Sequence, residues 1–344
     1  VKRHLDEIGE WALIDIVRRK FPGRRRGVFV GMGDDAAVLQ QNKGRKLLAT
    51  TDSLVEGVHF DLSYTSPYYL GRKAVAVNLS DIAAMGGIAK YALLSLALPG
   101  GLSKDFFNEF LRGVKSISSE QGVILVGGNT SSSRNGIFVS LAILGEAKVI
   151  VQRCGARDGD SIFVTGTLGD SALGLEIAKK ARDPSLATLI GMEKALALRH
   201  LNPAPRLSEG RALASRKIAS AMIDVSDGLL SDLGHIVEES RLGARVCAEK
   251  LPLSRALCSL APSWRKDPIG LALSGGEDYE IIFTASKKDV RRNLARTKGG
   301  IRVTEIGVMD SSIQGIEITL DGRPYSAAFR GYEHFMVKGR VKPQ

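Results

Sequence analysis

Apolar residues over 5–20 (Leu5, Ile8, Leu13, Ile16 and Val17) fall at helical spacing, and the stripe stops before Phe21-Pro22-Gly23. A short β-prone run at 28–30 follows, then a turn through Gly33-Asp34-Asp35. The spacing predicts a strand over 46–51 that delivers Asp52 to its end, an Ala/Val-rich helix over 68–85 and a second helix over 103–121. Beyond them stand an apolar strand at 122–126, a turn at Gly127-Gly128-Asn129 and a clear strand at 137–144.

The pattern changes over 147–160, where Arg153-Cys154-Gly155-Ala156-Arg157-Asp158-Gly159-Asp160 is rich in turn formers. That change places a boundary between a first domain, 1–148, and a second, 149–344. The second half opens with a strand at 161–165, a loop at 166–171 and a helix from about 172. Asn202-Pro203-Ala204-Pro205 marks a connector. A strand-turn-helix unit over 219–240 and strands at 281–284 and 303–308 complete the pattern. Helices and strands alternate in both halves, so the class is α/β in the mixed sense, and no fixed-period repeat is present.

Composition narrows this little. The 344 residues fit two domains, and 44% hydrophobic with 25% charged residues is ordinary for a globular chain. The 38 glycines exceed the usual share of about 7% and lie in clusters, which argues for many tight turns. The net charge of +11 sits largely in local runs, Arg18-Arg19-Lys20, Arg24-Arg25-Arg26 and the tail from Lys338, with no nucleic-acid motif behind it. Nucleic acid is therefore not expected as a partner. Cys154, Cys247 and Cys258 form no CxxC pair. The charged start shows no signal-peptide pattern and no apolar run reaches a membrane span, so a cytoplasmic location is expected.

The candidate chemistry lies in short acidic segments. Gly33-Asp34-Asp35, Thr50-Thr51-Asp52, Asn78-Leu79-Ser80-Asp81, Asp224-Val225-Ser226-Asp227-Gly228 and Gly275-Gly276-Glu277-Asp278 each set carboxylates beside small or turn-forming residues. Such oxygens suit hard cations such as Mg²⁺. Singly, each is an ordinary turn. Adjacent Asp34 and Asp35 need a cation or water between them. Asp81, in an apolar helix, leaves a ligand and a structural role equally open. Asp227 reads as a helix N-cap, and the same helix start offers free amides to a phosphate. The five histidines show no zinc spacing, and no Walker loop, dinucleotide fingerprint or protein-kinase signature is present.

Taken in order, these segments resemble the thiamine-monophosphate kinase family. The likeness runs from Gly9 to Phe335 through Gly33-Asp34-Asp35-Ala36-Ala37, Thr51-Asp52-Ser53-Leu54-Val55-Glu56-Gly57-Val58-His59-Phe60, 73–86, 164–171, 223–233, 274–280 and Gly331-Tyr332-Glu333-His334-Phe335. It implies a two-domain fold like that of aminoimidazole ribonucleotide synthetase, with a dimerising N-terminal domain and a C-terminal α/β domain. It implies a homodimer with ATP as co-substrate and several Mg²⁺ ions. By resemblance Asp35, Thr51, Asp52, Asp81, Asp224 and Asp227 hold magnesium. Thr50, Gly128, Arg153 and Ser226 sit at ATP, and His59, Glu277 and Tyr332 at thiamine monophosphate. Asn129 stands where the family carries a metal-binding Asp, so weaker binding of that ion is expected, with function retained. Direct in-line transfer without a phosphoenzyme is expected. The alternatives are another ATP-using synthetase of the superfamily and a catalytically retired nucleic-acid-binding relative.

Overall fold

The computed structural model describes residues 28–30, 34–40, 44–294 and 302–326. The expected helix over 5–20, the Arg18–Arg26 cluster, Gly33 and Tyr332 lie outside the described residues.

Six strands build the first sheet: β1 (Val28–Val30), β2 (Ala37–Gln40), β3 (Lys46–Val55), β4 (Ile88–Pro99), β5 (Ile124–Ser133) and β6 (Phe138–Ala147). Their order is β1-β2-β3-β6-β4-β5, with β4–β5 the parallel pair. Two expectations need correcting. Asp52 lies inside β3 and not at its end, because β3 stays paired with β6 as far as Val55. Gly127-Gly128-Asn129 is strand, not turn. A Cβ on Gly128 would come within 1.8 Å of the Leu94 carbonyl oxygen, so glycine serves there for close approach of two backbones.

Helix α1 (Pro67–Ala84) starts where Ser66 caps it, its hydroxyl accepting the Tyr69 N–H at 3.3 Å, with Pro67 in the first turn. Thirteen of its 18 residues are buried, so it is apolar nearly all round, as befits a helix enclosed on several sides. One side packs on the first sheet through Leu70, Leu79 and Ile82, and another meets helix α2 (Lys104–Gln121). The approach to α2 is close: a Cβ on Gly71 would fall 2.1 Å from the Phe110 oxygen, and one on Gly113 2.0 Å from the Tyr68 oxygen.

Seven strands form the second sheet: β7 (Ser161–Thr165), β8 (Ala221–Asp224), β9 (Gly243–Cys247), β10 (Ile281–Ala285), β11 (Val303–Asp310), β12 (Ile316–Leu320) and β13 (Arg323–Pro324). Their order is β13-β12-β9-β11-β7-β10-β8. Every residue of β7, β8 and β10 is buried, which is why apolar residues fill their middles with no polar alternation. The chain also forms α3 (Asp170–Ala181), α4 (Gly191–Leu201), α5 (Leu207–Ser215) and α6 (Leu229–Ser240). Leu229, Leu233, Ile236 and Val237 put the predicted stripe of α6 into the core beside Ile223 and Ile282. The stacked Phe163 and Phe283, with centroids 5.2 Å apart, join a separate cluster with Leu213 of α5 and Ala83 of α1. Helix α1 thus touches both sheets. No helix among the described residues is long and apolar enough to cross a membrane.

Candidate active site

Three carboxylates from three distant segments converge where α1 meets β8. One oxygen from each of Asp35, Asp81 and Asp224 lies within 4.8 Å of the others. Asp81 accepts a hydrogen bond from the Thr50 hydroxyl. Asp224 accepts one from Ser80 Oγ at 2.5 Å, tying α1 to the second sheet. Asp52 is held beside them: its backbone N–H donates to Asn78 Oδ1 at 2.9 Å, and Asn78 donates to the Ala74 carbonyl at 3.1 Å. Asn78 is therefore a bracket between helix and strand.

The mutual repulsion of the group is only partly relieved. Burial, then the Asp35 charge, raises Asp52 to about 6 and Asp224 to about 8. Burial, followed by Asp52, Asp224 and Asp35, pushes Asp81 well above the carboxylate range. Asp34 rises to about 7 through burial and then Asp35. Arg153 relieves the adjacent Asp34-Asp35 pair in part, pairing with Asp35 and lying 3.8 Å from Asp34 Oδ1. Asp35 Oδ2 is buried and accepts no hydrogen bond from a described residue. Buried, mutually repelling oxygens with an unused acceptor among them fit a hard divalent cation, since such ions take oxygen ligands.

The helix start expected to offer free amides to a phosphate is filled from within, and so is the start of α3. Gly228 is the N-cap of α6 and its helix has no side-chain cap of that kind, so Asp227 is not the N-cap. The amides of Ser226, Asp227 and Gly228 all donate to buried Asp232 Oδ2, at 3.0, 3.1 and 3.0 Å, and are not free for a phosphate. Asp278 likewise accepts from Gly169 at 2.6 Å and Ser171 at 3.1 Å at the start of α3, which begins at Asp170. Asp232 gave no sequence signal, because a carboxylate one turn into an amphipathic helix looks solvent-facing.

A second polar pocket lies along α1. Glu277 sits at φ +62° and Tyr279 at φ +51°, left-handed values that non-glycine residues seldom adopt and that the surrounding structure must enforce. The Glu277 N–H donates to the Ser226 carbonyl at 2.7 Å and the Tyr279 N–H to that of Val225 at 2.8 Å, so this loop is sewn to the chain leaving Asp224. Lys73 of α1, 1% exposed, donates to Glu277 Oε2 at 2.8 Å; His200 Nδ1 lies 2.9 Å from the same oxygen. The Lys73 ammonium also lies 3.5 Å from the His59 carbonyl. His59 Nδ1 accepts the Val55 N–H at 3.0 Å, leaving its ring proton on Nε2. Sequence reasoning missed Lys73 and His200; a lysine opening the Ala/Val-rich run of the helix was the available signal.

The remaining expected residues face elsewhere. Thr50 and Asp52 alternate with Thr51, whose exposed position lies on the opposite side of β3, its hydroxyl reaching the Leu141 carbonyl at 3.2 Å. The register runs Ser53–Ser140–Ser95–Asn129 across four strands, so Asn129 shares that outer face. Gly128 and Asn129 lie three strands from Asp52, on the order of 14 Å along the sheet. Both are exposed on edge strand β5, well away from the Asp35–Asp81–Asp224 group of the same chain.

Comparison with known proteins agrees with this architecture. Residues 33–147 match the family AIR synthase related protein, N-terminal domain, and 157–316 match AIR synthase related protein, C-terminal domain. A thiamine-monophosphate kinase of Aquifex aeolicus is 39% identical over 334 residues, 96% of this chain and 99% of that one. That of Escherichia coli K12 is 39% identical over 95% of this chain and 98% of its own. The solved structure of AaThiL complexed with AMPPCP and TMP superposes with a TM-score of 0.85 at 38% identity, covering 97% of this chain and 99% of the other. Hydrogenase maturation protein HypE in complex with ATP, at 19% identity and a TM-score of 0.67 over 88% of this chain and 89% of its own, shares the fold.

Proposed function

The chain belongs to the thiamine-monophosphate kinase family, and from that premise we propose that its acidic cluster and its Glu277 pocket are the two ends of one phosphoryl-transfer site. The activity is ATP-dependent phosphorylation of thiamine monophosphate to thiamine diphosphate. The observation that carries the site assignment is the convergence of Asp35, Asp81 and Asp224 at one end of α1, while Lys73 of the same helix holds Glu277. Eight residues separate Lys73 from Asp81, about 12 Å of helix, which leaves room for one extended organic phosphate. Its heterocyclic end lies at His59 and Glu277, and its phosphate points toward the aspartates.

Asp35, Asp52, Asp81 and Asp224 would hold Mg²⁺, with Asp227 and Thr50 beside them. Bound there, the ions supply positive charge between two polyanions that would otherwise repel. Arg153, already at Asp34 and Asp35, presents its guanidinium to the ATP phosphates, which Ser226 also meets. An oxygen of the acceptor phosphate displaces ADP from the γ-phosphorus, so no side chain becomes phosphorylated. ATP, Mg²⁺ and thiamine monophosphate incubated with the protein should yield thiamine diphosphate and no acid-stable phosphoprotein. No product across a wide Mg²⁺ range sinks the reading.

Gly128 and Asn129 fit this site through a homodimer. The outer sheet face exposes Tyr91 and Leu93, and edge strand β5 adds Ile124 and Val126, at 48%, 43%, 59% and 55% exposure. A run of exposed apolar side chains of this kind marks an interaction surface. Two copies joined along β5 bury it and carry Gly128 and Asn129 toward the partner's Thr51 face. Leu93→Glu should then give a monomer by light scattering coupled to gel filtration; a dimer of unchanged mass refutes the pairing. At Asn129 an amide oxygen can coordinate but brings no charge. Asn129→Asp is expected to lower the Mg²⁺ concentration for half-maximal rate several-fold, and an unchanged titration curve rejects the assignment.

A further inference from the structure

The Lys73 ammonium has three protons and three acceptors around it: Glu277 Oε2 at 2.8 Å, His200 Nε2 at 3.4 Å and the His59 carbonyl at 3.5 Å. An ammonium cannot accept, so His200 Nε2 is the unprotonated nitrogen and Nδ1 carries the hydrogen. That nitrogen is hydrogen-bonded to Ser171 Oγ at 3.1 Å and lies 2.9 Å from Glu277 Oε2. One assignment of protons therefore suits the buried group. Glu277 Oε2 accepts from the Lys73 ammonium with His200 Nδ1 beside it, whereas no described residue donates to Oε1. The Glu277 side chain is one quarter exposed while Lys73 and His200 are 1% and 3% exposed. The His59 carbonyl is the most distant of the three acceptors, so Glu277 is the partner the ammonium holds firmly.

We propose that Lys73 and His200 are positioning residues for the acceptor. They lock one oxygen of Glu277 and leave the other as an ionised acceptor, aimed into the cleft, that selects a cationic or N–H-bearing heterocycle. Thiamine monophosphate carries both features, a thiazolium and an aminopyrimidine. The inference rests on the reading that Glu277 faces the acceptor. Burial and then the Lys73 charge keep His200 below its ordinary range, hence neutral. Lys73, followed by His200, outweighs the burial of Glu277 and holds that carboxyl below the carboxylate range. The left-handed backbone at Glu277 fixes the direction from below.

Steady-state kinetics of Glu277→Gln, Lys73→Met, His200→Gln and the double variant Lys73→Met/Glu277→Gln test this in the full chain. Losing a charge-assisted contact should raise KM for thiamine monophosphate roughly 10-fold or more in Glu277→Gln and Lys73→Met, with KM for ATP unmoved and kcat within about 3-fold. The double variant should be no worse than Glu277→Gln, since Lys73 acts through that carboxylate. It also carries no unpaired buried charge, so it reports even if Lys73→Met folds poorly. His200→Gln should raise the same KM by a smaller factor. If Glu277→Gln leaves KM for thiamine monophosphate unchanged, the acceptor-site reading falls and this inference with it. If Glu277→Gln raises it but the Lys73 effect multiplies on top, or His200→Gln does nothing, the positioning role alone is overturned.

Discussion

Asp81→Asn is expected to lower kinase turnover by about 10²–10³-fold while making the metal-free protein more heat-resistant. The two effects have one cause. Asp81 is a buried carboxylate pressed by burial and by Asp52, Asp224 and Asp35, and its one relief is the hydroxyl of Thr50. An amide of the same shape still accepts that hydrogen bond and no longer repels its neighbours. Relief of about 2 kcal/mol would raise the melting temperature by roughly 4–8 °C in a domain of this size. The pH dependence follows from the raised carboxyls. Unfolded Asp loses its proton near 3.9, whereas Asp52 and Asp224 keep theirs to about 6 and about 8 when folded. The native state therefore binds more protons between those limits, and stability present below pH 4 is lost as pH rises through 6 to 8. Mg²⁺ competes with those protons, so its stabilisation should grow over the same window. Thermal melts in chelator and in Mg²⁺ from pH 5 to 8.5 check both. An Asp81→Asn protein with wild-type turnover, or with an unchanged melt in chelator at pH 8, contradicts the cluster as described.

Glu280→Ala should produce the largest loss of stability. Glu280 is wholly buried and holds Arg199 at 2.8 Å, Arg206 Nε at 2.6 Å and the Thr165 hydroxyl at 2.7 Å. Against the opposing pull of burial, Arg206 and then Arg199 keep its carboxyl below the usual range. Alanine would remove the close carboxylate of two guanidinium groups, each about one quarter exposed, leaving Arg199 with Asp170 and Arg206 with Glu209, each at 3.9 Å. Breaking a buried pair from one side costs about 3–5 kcal/mol, which corresponds to roughly 6–20 °C in melting temperature. The Lys287–Glu305 pair on the surface is the control: its side chains are 58% and 33% exposed. Lys287→Ala should change stability by no more than about 0.5 kcal/mol. Equal losses in the two variants would show that the Glu280 centre carries no special weight.

Much of this architecture was legible because one pattern dominated locally. The expected helix over 68–85 is Pro67–Ala84, and the expected strands at 161–165 and 281–284 appear within one residue of their predicted ends. These segments are mostly apolar and largely buried, so burial and local preference agree. The failures arose where a residue type has two uses. Gly127 and Gly128 were read as a turn, yet they let β5 lie close against β4. Asp227 looked like a helix cap, but Asp232 does that work from inside the helix. Lys73 and Glu277 are 204 positions apart, and no local pattern announces their contact. The acidic segments were legible as candidates, but only the fold selects Asp35, Asp81 and Asp224 as neighbours.

That selection has a temporal side. Asp81 and Asp224 are 143 positions apart in the chain, which a ribosome covers in roughly 7–30 s. Over that interval the nascent chain adds the last three strands of the first sheet, yet lacks the aspartate that closes the cluster and the serine–aspartate clasp of Ser80. The growing polypeptide meets cellular magnesium and nucleotide with half a site, and gains the other half only when its second domain docks.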